Sequence, residues 1–227
     1  RSAQGPQPAF DLPAHLSAVG FTETPPPFRA LTWGSDVLVA TACAFVPGAR
    51  DGWEWYVDLV QQAFRDDDWR AAEGAAASIG GLAARLHLAL ATPSSVLPAP
   101  TSIASEAEVA GWHARARATL DAALAETEGP AGDRLAALAE RARAVLDRLS
   151  SVEETPVQRT HGDLHVGQIL RDADGGLWVS DFDGNPLVTG DARTAAEPTA
   201  RDVAAMACAI ERPRPGPSGA GTPAALS

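Results

Sequence analysis

The chain has 227 residues and a formal net charge of −11, and all 18 of its basic residues are arginine; it is long enough to bury a real core as one large domain or two small ones. Nucleic-acid binding is dominated by phosphate neutralisation, so an acidic chain without lysine is not expected to bind nucleic acid. No signal peptide or long uncharged apolar run stands out, which points away from export and from a membrane, and Cys43 and Cys208 make no disulfide framework, so a reducing cytoplasm is the expected compartment.

Residues 1–27 are rich in proline and end in Thr24-Pro25-Pro26-Pro27; no helix is expected there, and the stretch reads as a leader or the remnant of something larger. Phe28–Trp33 and Val37–Phe45 predict two strands joined at Gly34-Ser35-Asp36. Phe45-Val46-Pro47-Gly48 ends that sheet, and a helix starts near Gly52. Tyr56, Val60 and Phe64 give it one apolar face, with Trp53 and Trp55 as packing residues. A second helix over 74–91 places Ile79, Leu82, Leu86 and Leu90 together, with His87 structural beside them. Gly80-Gly81 inside it costs about 1 kcal/mol per glycine relative to alanine, so close packing or a break is expected there. After a loop over Pro93–Pro100, the capping box Ser105-x-x-Glu108 opens a helix to about Thr127, with Val109, Trp112, Leu120 and Leu124 inward. Gly129-Pro130 breaks it. Asp133 is expected to cap a helix to about Leu149, with Leu135, Leu138, Val145, Leu146 and Leu149 on its apolar side.

The stretch from Gln158 to Pro186 reads as loop, strand, turn, strand, loop. His161-Gly162-Asp163 opens it, and Gln168 follows five residues after Asp163. Ile169 and Leu170 begin an apolar strand, Asp172–Gly176 has turn chemistry, and Leu177, Val179 and Ser180 return to Asp181-Phe182-Asp183. A hairpin brings its ends together, so Asp163 and Gln168 are expected to face Asp181. Phosphoryl transfer needs a carboxylate to take the proton of the attacking hydroxyl, and oxygen ligands for magnesium on the nucleotide phosphates. Protein kinases place the base in H-R-D-x-x-x-x-N and the metal carboxylate in D-F-G. His161 to Gln168 has that offset, with glutamine where asparagine would stand. A different chemistry is open to the same residues: His161-x-Asp163-x-His165 on an extended strand would project three side chains from one face and, with Asp181 or Asp183, form a metal site for hydrolysis or oxidation.

HGDLHVGQ followed by DFDGNP resembles the catalytic segment of the aminoglycoside-phosphotransferase-like kinases, which have a protein-kinase-like fold. Within them it is similar to the actinobacterial maltokinase and glucosamine kinase group, where glutamine replaces the metal-binding asparagine. Asp181-Phe182-Asp183-Gly184-Asn185-Pro186 lies nearer to the glucosamine kinases than to the DFEGEP of the maltokinases. The likeness is strong over about 158–186 and looser over 41–60 and 199–210. It implies an α+β chain, with partial small-lobe strands and a mainly helical large lobe carrying the catalytic hairpin. The expected partition is 1–27 leader or remnant, 28–48 end of the small lobe and hinge, 49–211 helical catalytic lobe, and 212–227 a disordered tail.

The implied activity is ATP-dependent phosphorylation of a sugar hydroxyl, an amino sugar such as glucosamine being preferred, with maltose or an aminoglycoside as alternatives. ATP and Mg²⁺ are the implied cofactors, and the sugar and ATP the partners. Asp163 is the implied base, and Gln168 and Asp181 the metal ligands. The resemblance to FVPGA-x-DGW makes Ala44, Phe45 and Val46 the hinge whose backbone meets adenine. Asp163, Asp183, Asn185, Glu197, Arg201 and Asp202 are substrate candidates, and His161 and His165 brace the loop. Arg201-Asp202 opens a helix over 200–211 behind Thr199, with Val203, Met206 and Ile210 inward. Asp202 there is either a dipole-compensating acid behind a cap or a support of the site. A kinase usually carries a small-lobe lysine and a glycine-rich loop on the phosphates. This sequence has neither, so it reads as an internal fragment or truncated product. A kinase-like module that binds without turnover is a further reading.

Overall fold

The computed structural model describes residues 8–34, 37–185 and 195–211. Contacts divide the chain into two units: one holds the described residues up to Pro100 and from Gln158 onward, the other Thr101–Val157. The division falls inside the expected 49–211 stretch, and residues 8–27 belong with the larger unit. The expected turn residues Ser35 and Asp36 and the tail from 212 lie outside the described residues.

In the first unit, α1 (Pro8–Ala18) is a helix where none was expected. Pro13 inside it costs about 3 kcal/mol, which burial of Leu12 and Leu16 one turn apart offsets. His15 on the same face is fully buried. Burial lowers its pKa against the bond to Ala89, so the ring is neutral. Its Nε2 donates to the Ala89 carbonyl at 3.1 Å, and Nδ1 accepts from the Ser94 hydroxyl at 2.7 Å. The prolines hid a helix that its burial pattern sustains.

Strands β1 (Pro27–Trp33) and β2 (Val37–Cys43) pair antiparallel, with Ala30 opposite Thr41. The second strand ends before Phe45. Phe28, Leu31, Trp33 and Val39 on this hairpin are exposed. Asp51 then caps α2 (Gly52–Asp66), accepting from the Glu54 amide at 3.2 Å. Its inward face is Trp55, Tyr56, Val60 and Ala63; Phe64, expected there, is 40% exposed and packs edge-on against Trp69. The third helix, α3 (Arg70–Leu90), runs unbroken through Gly80-Gly81 and buries Ile79, Leu82, Leu86 and Leu90 completely. The expected close packing is absent at Gly80, where an added Cβ meets nothing within 4 Å.

In the second unit, β3 (Thr101–Ile103) and β4 (Pro156–Gln158) pair as a two-stranded sheet. The capping box of Ser105 and Glu108 opens α4 (Glu106–Glu126) as expected. Helix α5 (Gly129–Asp147) starts earlier than Asp133. Pro130 sits in its first turn, where the missing amide costs nothing. Val109 and Ala139 are buried, but Leu138 and Val145 are more than half exposed, so the expected apolar stripe of α5 does not face inward as a whole.

The core of the first unit runs from α1 through α2 and α3 to the catalytic hairpin and α6 (Ala200–Glu211). Of the expected stripe of α6, Met206 is buried and Val203 is exposed; Asp202 and Ala209 turn inward instead. Gly52 fixes how α2 meets the catalytic loop: a Cβ there would stand 1.8 Å from the Val166 carbonyl oxygen. Gly52→Ala is therefore expected to lower stability by about 2 kcal/mol or more. Gly80→Ala, in open space on a helix surface, should raise it by about 0.5–1 kcal/mol. Thermal melts of both variants check the pair; equal shifts would contradict the packing described.

Candidate active site

The site is built on one hairpin. Strand β5 (Ile169–Arg171) pairs antiparallel with β6 (Leu177–Val179), Leu170 lying opposite Trp178. Asp172 makes the turn. Its Oδ1 accepts from the amides of Asp174 and Gly176 at 3.1 and 2.7 Å, and its Oδ2 accepts from the Trp178 indole at 2.8 Å. The indole bond first, then the amides, hold this carboxyl below its usual range against desolvation. Trp55 of α2 supports the strand from behind, its indole N–H donating to the Ile169 carbonyl at 2.9 Å.

At the open end of the hairpin, the Gln168 side-chain amide donates to Asp181 Oδ2 at 2.9 Å. Asp181 holds left-handed backbone, φ 64°. Such a conformation costs roughly 1–2 kcal/mol in a residue with a Cβ and clusters at functional sites. An amide oxygen and a carboxylate side by side suit magnesium, which takes hard oxygen ligands and keeps several waters. The residues present therefore fit the ion the sequence implies, with the amide turned to offer its oxygen.

Asp163 stands on the loop before this pair, its side chain 33% exposed. His165 follows, and its Nε2 lies 4.0 Å from Asp163 Oδ2. The His165 Nδ1 accepts from the Gly167 amide at 3.1 Å, and this turns Nε2 towards the carboxylate. Trp53 of α2 lies against the same imidazole, ring centroids 5.7 Å apart and tilted by 31°.

The loop is held from beneath by Asp202. Its side chain has no exposure; Oδ2 accepts from the His161 amide at 2.9 Å and from His87 Nε2 at 3.0 Å, and Oδ1 from the Gly162 amide at 3.0 Å. Burial pushes the Asp202 carboxyl up, but these bonds, His87 foremost, outweigh it and hold the pKa below the ordinary value. His161 is pushed down by burial, against the Ser180 carbonyl and the carboxylates of Asp202, Asp181 and Asp163. It is thus neutral. Its Nε2 donates to the Ser180 carbonyl at 2.9 Å, leaving Nδ1 to face the Asp163 amide at 3.4 Å. Phe182 packs on the same ring at 4.8 Å. His161 thus joins the loop to the end of the second hairpin strand.

Several expectations need correction. Asp202 cannot touch a substrate, because it is wholly buried and both oxygens are engaged; the alternative of a supporting acid is the one observed. Glu197 is buried, pairs with Arg201, and its backbone bridges Gln158. Its side chain is 9% exposed. The rival metal site fails: His161 to His165 is a loop and not a strand, His161 is 1% exposed, and no group of three metal-ligating side chains forms among the described residues. Asp183 is exposed and Asn185 half-buried beside Gly162. In the stretch expected to form the hinge, the Ala44 amide donates to Pro26 at 2.9 Å, and the Val46 amide has no acceptor among the described residues. Sequence reasoning missed the part played by His87 and by the Ser180 carbonyl. His87 lies 115 residues from Asp202, and nothing local to either residue signals the pair.

His15 and His161 both have folded-state pKa values lowered by burial. The unfolded chain takes up those protons as pH falls through about 6.5, while the folded chain refuses them. Stability should therefore decline as pH drops from about 7.5 to about 5. Asp202, lowered from 3.8, keeps its contribution above that value and loses it only in stronger acid. Melts across this range on His15→Gln and His161→Gln check the assignment: each variant should flatten the slope, and an unchanged slope would refute it.

Comparisons agree with this geometry. The model of a family described as "Phosphotransferase enzyme family" matches residues 14–185. A glucosamine kinase of Streptacidiphilus jiangxiensis is 42% identical over 208 residues, covering 90% of this chain and 46% of that protein. One of Mycolicibacterium smegmatis is 37% identical over 215 residues, covering 90% and 50%. The chain thus spans about half the length of the curated relatives it matches. A solved glucosamine kinase superposes with a TM-score of 0.83 at 41% identity, over 93% of this chain and 49% of that one. Another, in complex with glucosamine, ADP and inorganic phosphate, gives 0.82 at 41% identity, over 93% and 50%. Among the described residues no helix is long and apolar enough to cross a membrane. With the α+β, protein-kinase-like architecture shared at this identity and His161 to Asn185 inside the matched span, the chain belongs to the phosphotransferase enzyme family.

Proposed function

We propose that the chain carries the catalytic segment of an ATP-dependent kinase that phosphorylates a hydroxyl of an amino sugar, glucosamine being the first candidate. The observation that carries this reading is the contact of Gln168 with Asp181 across the hairpin, with Asp163 partly open on the loop leading into it. Relatives named glucosamine kinase at 42% and 37% identity support the substrate class.

In this reading the Asp163 carboxylate orients the acceptor hydroxyl and takes its proton as the oxygen attacks the terminal phosphorus of ATP and ADP leaves. Gln168 and Asp181 hold Mg²⁺, which when bound supplies positive charge on the nucleotide phosphates. Ala44, Phe45 and Val46 form the adenine edge, the Val46 amide being the donor left over after Ala44 is tied to Pro26. Asp183, Asn185 and Arg201 border the sugar. Asp202, His87 and His161 position the loop and touch neither substrate. Two exposed free cysteines fit a reducing cytoplasm.

The test is ATP consumption with Mg²⁺ against glucosamine, maltose, glucose and an aminoglycoside. Asp163→Asn should keep the melting temperature within about 3 °C and reduce sugar-dependent turnover by about 100-fold or more. Residual turnover near the original level in the folded variant would remove Asp163 as the base. No turnover with any sugar would favour a module that binds without catalysis, and the same assay on a protein as long as the relatives would then decide whether the other half of their length is required.

A further inference from the structure

Trp53 and Trp55 sit two residues apart at the start of α2 and have opposite fates. Trp55 is 4% exposed and gives its N–H to Ile169, whereas Trp53 is 44% exposed and its indole N–H finds no acceptor among the described residues. Burying so large a ring would stabilise the fold, and this chain leaves it open beside the catalytic loop.

The ring is nonetheless held in place. It lies so close over Gly167 that a Cβ there would come within 2.3 Å of the indole nitrogen. Its other support is His165, on which it rests with centroids 5.7 Å apart. That same imidazole reaches towards Asp163 Oδ2 at 4.0 Å. Trp53, His165 and Asp163 thus form a row that leads from an open aromatic surface to the carboxylate proposed as base. Gly167 and His165 fix the ring; the rest of it faces solvent.

We propose that Trp53 is a specificity-determining residue: a platform for the acceptor sugar, which lays the C–H face of its pyranose and its ammonium against the indole while a hydroxyl meets Asp163. The inference rests on the kinase reading above. Indole is the strongest of the aromatic side chains for a cation at its face, and an aromatic surface with one free N–H offers a hydroxyl-rich ring both stacking and a donor. A protonated amino sugar presents both features, and a neutral sugar only one.

The experiment is steady-state phosphorylation by the full chain of glucosamine and of glucose, with ATP and Mg²⁺, in the unaltered protein, Trp53→Leu and Trp53→Phe. In Trp53→Leu the KM for glucosamine should rise about 3- to 30-fold, the preference for glucosamine over glucose should narrow, and the KM for ATP should stay within about 2-fold. Trp53→Phe should restore most of the loss. A KM for glucosamine unmoved in Trp53→Leu, or an equal rise in the KM for ATP, overturns the platform, while the turnover itself upholds the kinase reading. Should the unaltered chain turn over no sugar, saturation-transfer NMR of glucosamine on the same three proteins reads the contact directly. Transfer to the pyranose protons that is lost in Trp53→Leu and kept in Trp53→Phe supports the platform. Equal transfer in all three, or none to the unaltered chain, overturns it.

Discussion

One buried carboxylate sets the shape of the loop that carries Asp163. Asp202 takes N–H donors from His87 on α3 and from the backbone of His161 and Gly162. A carboxylate with no solvent exposure is costly unless fully bonded. Here the cost is offset only when α3, α6 and the loop stand in one arrangement. The loop has no regular backbone pairing of its own over 161–165, so its form is borrowed from this acid. Asp163, one residue beyond the second anchored amide, inherits its position from Asp202.

His161 completes the same logic from the other side. A charged imidazole in that place would face the Ser180 carbonyl with one nitrogen and the Asp163 amide, a donor, with the other. Neutrality lets Nε2 donate and Nδ1 receive. The ring therefore ties the loop to the strand end just before Asp181, and Phe182 packs against it. Asp163, Gln168 and Asp181 are thus spaced by packing and by the hydrogen bonds of His161 and Asp202.

What the sequence made legible was local. The turn at Asp172–Gly176 follows from residue chemistry, and the approach of Gln168 to Asp181 follows from a hairpin of equal arms. The stripe of Ile79, Leu82, Leu86 and Leu90 follows from helical period. Three features were hidden for physical reasons. Helix α1 survives its prolines through tertiary burial that no local rule contains. Asp202 looks like any acid in a first helical turn, because its partners lie far off in the chain. Trp53 and Trp55 look alike in sequence, and only the packing of α2 against the hairpin decides which of them is buried. Gly80-Gly81 misled in the opposite sense: the helix runs on through both, and Gly80 sits in open space at its surface, at the expense of some propensity and with no tight packing in return.

The two ends of the β1–β2 hairpin have a common anchorage. On the way in, the Glu23 carbonyl accepts from the Val179 amide at 2.8 Å, and the Thr24 hydroxyl donates to the Val179 carbonyl at 2.9 Å. On the way out, Arg50 and Arg171 exchange two backbone bonds of 2.9 Å. Both fastenings are to the catalytic hairpin, one on each of its strands. Between them lie Pro25–Pro26 and 44–49, and the Ala44 amide ties these two runs to each other through the Pro26 carbonyl at 2.9 Å. The β1–β2 hairpin is thereby clamped at both roots to the frame that carries Asp181, so that a shift in either strand of that frame is passed on to it.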